Sequence, residues 1–488
     1  MAVHQVEPQD ATFLYIDREN RHTHVSVIWI YGPVEAAGGG ISRLDIQHHL
    51  QSRLHINKVF YQKLVRVPLD LDYPYWVDDE HIEFSHHVRE VSLPAPGDWA
   101  RLMQAAAEIH SRALDLDKPL WEVHLIRGLR IDWLPEGAFA LLAKFHHVAL
   151  DGETGITILK GLHDLTPGPI SAPDAEPSRG PATKAPGTVR MLAAAALNHL
   201  NFSIKGTQAL AALATRLPKI LSTVRLQSLL KGSEAPDTLF NKDVSIERVV
   251  DCRFFDFSEI KQIQYAVPGA TVNDVVLAIC GGALRRFLES RGELPDTSMV
   301  TVCPINVRTP AEAESGGNRI AMMTTRIHTD IADPLERLKA IHRSTKRAKA
   351  TIEAVGAREI QELNNSLPSV LQTLAIAAVG RLPDMPRPFN TSISNLPGPR
   401  ESLYLGGAKL LHIGAGMPIG DGYGLFIGIC TYAGQISFNV TSAVNILPQP
   451  QQLMVQFEHA VAELKKATAG GDTKVRPRLP RNTAAPGN

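Results

Sequence analysis

The chain has 488 residues, which at roughly 150 residues per domain makes about three domain-sized units, or two large ones with a connector, and excludes one small domain. Hydrophobic residues make up 44% and charged residues 20%, close to the ~45–50% and ~25% of globular proteins, so wholesale disorder is excluded too. Lys+Arg and Asp+Glu balance at 50 each; with no global field to gather nucleic acid, contact with a polyanion or a membrane has to come from a local patch.

Met1 to Asn20 carries Glu7, Asp10, Asp17 and Glu19 and has no apolar core of about 7–15 residues, so it does not read as a secretory signal and a cytoplasmic protein is expected. Val25, Val27, Trp29 and Tyr31 alternate with Ser26, Ile28 and Ile30, which suits a largely buried strand. Asp98 is a good N-cap for a helix whose Leu102, Ala106, Ile109 and Leu114 keep one face, and Trp121 to Arg127 returns to strand character. Ala138 to Phe145, apolar except for Lys144, is a buried strand that runs into His146-His147-Val148-Ala149-Leu150-Asp151-Gly152.

Residues 167–186 have the Pro, Ala, Gly and Ser content of an exposed loop, so the first domain, 1–166, ends there. The connector, 167–244, contains helix-forming, Ala/Leu-rich residues 187–232; from Arg179 to Lys231 it has eight basic residues and no acidic one. Its longest apolar stretches, such as Met191 to Leu197, fall far short of the ~18 residues of a spanning helix. The second domain, 245–468, reads as strand Ile246–Phe255, helix Asn273–Arg291, strand Met299–Pro304, helix Pro334–Ala354, strands Leu425–Tyr432 and Gln435–Thr441, and a helix from Pro450 to about Ala467. Residues 469–488 are polar and rich in Pro and Gly, the composition of a disordered tail.

The four cysteines, Cys252, Cys280, Cys303 and Cys430, lie 28, 23 and 127 residues apart, which indicates neither a disulfide scaffold nor a structural zinc site. Gly414-Ala415-Gly416 with Gly420, Gly422 and Gly424 lacks the spacing of a dinucleotide loop, and no Gly-Lys dipeptide occurs to make a Walker A loop. No G-x-S-x-G nucleophile elbow occurs either.

The informative segment is therefore Phe145 to Gly155. Successive strand side chains point to opposite faces, so only one of His146 and His147 can face a given site. That disfavours a two-histidine metal clamp and favours a single working imidazole, with a pKa of about 6.5 suited to moving a proton between a hydroxyl and a leaving group. Taken alone, the segment is also compatible with two ordinary strand-end histidines and a plain Asp-Gly turn.

The His146-to-Gly152 segment matches in full the central motif of the bacterial wax ester synthase/diacylglycerol acyltransferase family, part of the CoA-dependent acyltransferase superfamily, and the chain resembles that family further. Pro119-Leu120-Trp121, Asn273-Asp274 and Ser394-Asn395-Leu396-Pro397-Gly398-Pro399 match its other motifs in order, the last with Leu396 where Val is common. The resemblance covers about residues 5 to 467. It implies an α/β fold of two chloramphenicol-acetyltransferase-like mixed-sheet domains, joined by a helical crossover, with the active site in a tunnel between them.

The resemblance also implies an activity: long-chain acyl-CoA as donor, with diacylglycerol ranked before fatty alcohol as acceptor. His147 matches the superfamily's general base, Asn273 is a candidate oxyanion donor or a helix cap, and Gly152 a site of close approach. Asp151 would shape the loop by pairing with an Arg, for which Arg308 is the candidate, instead of completing a triad. His146 belongs to the same motif; Asp274, Pro119, Leu120, Trp121, Ser394, Asn395, Pro397, Gly398 and Pro399 would support the site. No metal, no cofactor beyond the acyl-CoA substrate and no nucleic acid partner are expected.

An insoluble acceptor calls for a route to it, and the basic, acid-free stretch 187–232 suits peripheral attachment to the inner face of the membrane or to lipid droplets. Two other readings stand beside this one. A condensation-type enzyme with a carrier-protein donor shares the His motif, but the Pro-Leu-Trp and Ser-Asn-Leu-Pro-Gly-Pro matches argue against it. A catalytically weak lipid-droplet coat protein is disfavoured by the intact His147 and Asn273.

Overall fold

The computed structural model describes residues 3–34, 40–150, 152–170, 182–200, 235–306, 320–355 and 388–469. Asp151, Arg308, residues 201–232 of the basic stretch and the tail beyond Ala469 lie outside them.

Two six-stranded mixed sheets organise the chain. After the short β1 (His4–Gln5) and helix α1 (Pro8–Ile16), β2 (His24–Tyr31) enters the first sheet. Helix α2 (Arg43–Arg53) follows; β3 (Gln62–Val65) and β4 (Tyr75–Asp78) form a small sheet with β1. The chain continues through α3 (Phe84–His87), β5 (Val88–Ser92), α4 (Trp99–Ser111), β6 (Trp121–Arg127), β7 (Phe139–His146) and α5 (Gly152–Gly161). Every residue of β7 is buried, as expected of an apolar run covered on both faces, and it lies in the interior between β2 and β6.

Lys144, the one charge in that run, has a structural partner set. Its Nζ donates to the carbonyls of Ile109 and Arg112, both at 3.0 Å, at the end of α4, where the helix dipole favours a cation. It also lies 3.3 Å from Glu122 on β6, which accepts from His124 at 3.0 Å. At the other end of α4 the Asp98 side chain accepts from the Arg101 N–H at 2.9 Å, the cap its position in the sequence predicts.

The second half contributes β8 (Arg248–Asp256), α6 (Phe257–Ile263), α7 (Val272–Ser290), β9 (Val300–Asn306), β10 (Ile320–Arg326), α8 (Pro334–Val355), β11 (Thr391–Pro397), β12 (Tyr404–Leu405), β13 (Ala408–Gly416), β14 (Leu425–Tyr432), β15 (Gln435–Ala443) and α9 (Pro450–Ala469). Its sheet runs β10-β9-β11-β14-β15-β8, with α7 embedded in an aliphatic core between the sheet and α8 and α9.

One correction to the domain division follows. β12 and β13 fall within 245–468 in sequence, but they extend the first sheet: β13 pairs antiparallel with β2, Ile413 opposite Trp29 and Gly416 opposite Ser26. Gly414, Ala415 and Gly416, which lack the spacing of a dinucleotide loop, end this strand, and their small size suits a place where neighbours press close. A Cβ on Gly414 would lie 3.2 Å from Cys252 Sγ, and one on Gly416 3.3 Å from the His110 ring.

Candidate active site

β7 delivers His146 and His147 to one end of the first sheet. His146 pairs with His24 across β2, and its N–H donates to the Leu120 carbonyl at 3.1 Å. The His147 N–H donates to the Thr23 carbonyl at 2.8 Å. The N–H groups of Ala149 and Leu150 then return to the carbonyls of His146 and His147, at 3.0 and 3.4 Å, closing the turn that leads into α5.

The two imidazoles part as the strand alternation predicts. His146 is fully buried. Its Nδ1 accepts from the Val148 N–H at 3.2 Å, which places the ring proton on Nε2. Nε2 donates toward Asp17 Oδ2 at 3.2 Å and lies 3.3 Å from Thr23 Oγ1. Both nitrogens of His146 are thus committed to protein partners. His147 is half-buried and stacks face to face on Phe13 of α1, with ring centroids 3.8 Å apart at 15°.

Asp17 is the residue that sequence reasoning missed. Its carboxylate also accepts from the Thr23 N–H at 3.0 Å and lies 3.0 Å from His22 Nδ1. Burial opposes its charge, but the hydrogen bonds from His146, His22 and the Thr23 backbone outweigh that and hold its carboxyl well below the usual carboxylate range. His24, beside it, is pushed well below the ordinary histidine range by burial and by nearby Lys144 and His146. Asp17 stands 129 residues from His146, and nothing periodic in the sequence links them. A cation could be held here: Asp17, His22 and His24 each offer a ligand atom within 4.8 Å of the others.

Pro119-Leu120-Trp121 supports from behind. Leu120 and Trp121 are fully buried, Trp121 Nε1 donates to the Phe60 carbonyl at 3.1 Å, and the indole stacks on His87 at 4.4 Å. Asn273 is half-buried in the first turn of α7 and is not the cap of that helix. Thr271 takes that place, in a capping box with Asp274. Asp274 also accepts from Thr345 Oγ1 at 2.6 Å and His342 Nδ1 at 3.0 Å, which ties α7 to α8. Burial works against the Asp274 charge, but these bonds and those of Thr271 lower its pKa overall.

The two halves meet at the motif residues. A Cβ on Gly152, at the start of α5, would lie 3.0 Å from Leu396 Cδ1 on β11. Ser394, Asn395 and Pro397 pair in parallel with Gly428, Ile429 and Thr431 of β14, and Ser394 and Asn395 are half-buried. The Gly398 N–H donates to Thr431 Oγ1 at 3.1 Å, and a Cβ there would come within 2.1 Å of the Thr431 carbonyl oxygen, so only glycine fits. Buried Pro399 accepts from the Ala433 N–H at 3.0 Å. The His motif and the Ser-Asn-Leu-Pro-Gly-Pro motif, some 240 residues apart in sequence, are thus in contact through Gly152 and Leu396.

Comparison with known proteins agrees with this geometry. The profile of the wax ester synthase/diacylglycerol acyltransferase catalytic domain matches residues 6–276, and that of the WS/DGAT C-terminal domain matches residues 316–465. A putative diacylglycerol O-acyltransferase of Mycobacterium tuberculosis is 31% identical over 466 residues, covering 95% of this chain and 99% of that one. Another from the same organism is 33% identical over 495 residues, covering 94% and 97%. Among solved structures, the wax ester synthase/diacylglycerol acyltransferase of Marinobacter aquaeolei VT8 superposes with a TM-score of 0.70 at 25% identity, covering 96% of this chain and all of that one. The starter condensation domain of rhizomide synthetase, at 14% identity and a TM-score of 0.53, shares the fold.

Proposed function

The chain belongs to the wax ester synthase/diacylglycerol acyltransferase family, and from that premise we propose that it transfers a long-chain acyl group from acyl-CoA to diacylglycerol, and secondarily to a fatty alcohol, with His147 as general base. The observation that carries the assignment within the His pair is the commitment of both His146 nitrogens, to the Val148 N–H and to Asp17, in a fully buried ring. An imidazole so held cannot take a proton from an incoming hydroxyl. His147, one residue on and half-buried, is the remaining candidate at the strand exit.

In this mechanism His147 takes the acceptor's hydroxyl proton as its oxygen attacks the thioester carbonyl. The tetrahedral intermediate collapses to the ester, the C–S bond breaks, and the imidazolium returns the proton to the departing CoA thiolate. No acyl-enzyme forms, and the thioester supplies the driving force without a cofactor. The Asn273 side chain donates to the oxyanion as it develops. His146, oriented by Asp17, anchors the turn from which His147 projects, while Gly152 and Leu396 set the width of the passage between the halves. Asp151 and Arg308 keep the loop-shaping pairing that the family resemblance implies.

The enzyme reaches its insoluble acceptor as a peripheral protein on the cytoplasmic face of the membrane or on lipid droplets. Among the described residues no helix is long and apolar enough to cross a membrane. The supporting feature is the acid-free, basic sequence of residues 187–232.

The test is purified protein with palmitoyl-CoA, offered dioleoylglycerol and hexadecanol in competition, with thiol release and separated products as readouts. Triacylglycerol should predominate. His147→Ala should lower kcat by the ~10²–10⁴ of lost general acid/base catalysis, and by more than His146→Ala does. A larger loss at His146, or no ester from either acceptor, overturns the assignment.

A further inference from the structure

The turn between α1 and β2 gathers three donor groups, of which only Asp17, through its Oδ2 on His146, has a part in the proposed transfer. His22 and His24 stand two residues apart at the entry to β2, the spacing that puts both side chains on one face of an extended chain. Their rings stack, with centroids 5.0 Å apart at 14°. Asp17 closes the group, its Oδ1 3.0 Å from His22 Nδ1. One ligand atom from each of the three lies within 4.8 Å of the other two.

A second observation points the same way. His24 is 1% exposed, and its Nδ1 has no hydrogen-bond partner among the described residues. A buried ring nitrogen left unsatisfied is costly and calls for an explanation, a bound ion being one of the ordinary ones. The nearby Lys144 ammonium, which would repel a cation, is neutralised by Glu122 and capped by the Ile109 and Arg112 carbonyls.

We infer that Asp17, His22 and His24 bind one divalent transition-metal ion. Two imidazoles and one carboxylate are donors for Zn²⁺ and its first-row neighbours, with Zn–N of about 2.0–2.1 Å and Zn–O of about 2.0–2.2 Å, and water completes the shell. The ion takes the place of the hydrogen between His22 Nδ1 and Asp17 Oδ1, and the ring proton moves to Nε2, so that His22 ligates as a neutral imidazole. Asp17 Oδ2 stays on His146 and Thr23.

The ion so placed takes no part in ester formation. It fastens the α1–β2 turn, and with it Phe13, whose ring lies on His147 and whose carbonyl accepts from Thr23 Oγ1 at 2.9 Å. Occupancy therefore stabilises the wall against which the His147 ring is stacked.

The experiment is calorimetric titration of the full chain, stripped with EDTA, with Zn²⁺, followed by Co²⁺ titration monitored through the visible absorption of the bound ion. One ion per chain is expected, with a rise in Tm on saturation. His22→Ala, at a half-buried position, should weaken binding by at least the ~10–100-fold seen when mere outer-shell groups of metal sites are lost, and it should remove the Co²⁺ band; His24→Gln should do the same. Circular dichroism reports whether each variant is folded, and His22→Ala alone decides the matter if His24→Gln is not. His48→Ala, on an exposed surface, should bind as the parent does. The inference is overturned if binding is not saturable at one equivalent, or if His22→Ala keeps the parent's affinity and spectrum, which would mean adventitious surface coordination.

Discussion

The two halves of the molecule bury different chemistry. Around α7 the second half packs Val275, Val276, Leu277, Ile279 and Leu284 with Phe438 and Phe457, all fully buried. Its interior polar groups are mostly neutral and satisfied close by, as where Asn439 donates to the Gly428 carbonyl at 2.9 Å and Thr391 to that of Leu425 at 2.9 Å. The first half instead buries Lys144 with Glu122 and His124, Asp17 with His146, and the imidazoles of His24, His49, His110 and His163. Buried ion pairs are a weak source of stability, because the desolvation of both partners offsets their attraction. The buried imidazoles distinguish the halves better than ion pairs do, since the second half also buries Asp251, Asp274 and Arg337; the half that collects the imidazoles is the one that carries the His motif and its proposed base.

Acid should separate the halves most strongly. His49 and His163 are pushed down to about 4 and His110 to about 3, in each case chiefly by burial. The folded rings stay neutral while the unfolded chain takes up protons below about 6.5. The unfolded state thus binds more protons, and stability falls as pH drops from about 6.5 toward 4. Each group contributes ~1.4 kcal/mol per pH unit, so the three together contribute roughly 4 kcal/mol per unit. Hydrogen exchange at pH 5 should show the first sheet opening before α7 does; simultaneous opening of both would erase the distinction.

Asn273 probes the proposed site from the second half. Asn273→Ala should lower kcat by the ~10²–10³ lost with one oxyanion donor, leaving Tm nearly unchanged because Thr271, and not Asn273, caps α7. A fall in Tm with kcat preserved would return this residue to a structural part. Comparable in size is Lys144→Met. It leaves Glu122 buried beside His124 without its ammonium, and removing one partner of a buried pair costs about 3–5 kcal/mol. Adding Glu122→Gln should recover much of that in urea denaturation, and failure to do so would mean that the caps on Ile109 and Arg112 matter more than the pair.

Much of this division is legible in the sequence. The continuous apolar run of β7 and the His motif at its end give both the strand and the site, because a strand covered on two faces needs no alternation and its exit is where polar residues resume. The bounds of β6 and β14 also agree with the pattern of side chains. What could not be read is long-range. β13 carries small residues where neighbours crowd it, so it has no strand signature of its own, and its exchange into the first sheet is a property of topology. Asp17 lies in a polar turn indistinguishable by composition from any other, and only folding brings it to His146.

The junction between the halves gives the smallest effect and the finest test, because it compares two glycines of two motifs. At Gly398 an added Cβ would meet the Thr431 carbonyl at 2.1 Å. Backbone cannot yield there without shifting the β11–β14 pairing, so Gly398→Ala should cost the ~1–3 kcal/mol of overpacking. At Gly152 the obstacle is the end of the Leu396 side chain at 3.0 Å, which can turn aside. Moreover, Ala favours the helix that starts there by up to ~1 kcal/mol over Gly. Gly152→Ala should therefore leave Tm within a few degrees of the parent while narrowing the passage proposed for the acyl chain. Turnover should fall more with palmitoyl-CoA than with a short-chain acyl-CoA. If both donors lose activity equally, the methyl group acts on the position of His147 instead of on the width of the passage, and Leu396→Ala, which reopens that space, would then fail to restore the long-chain reaction.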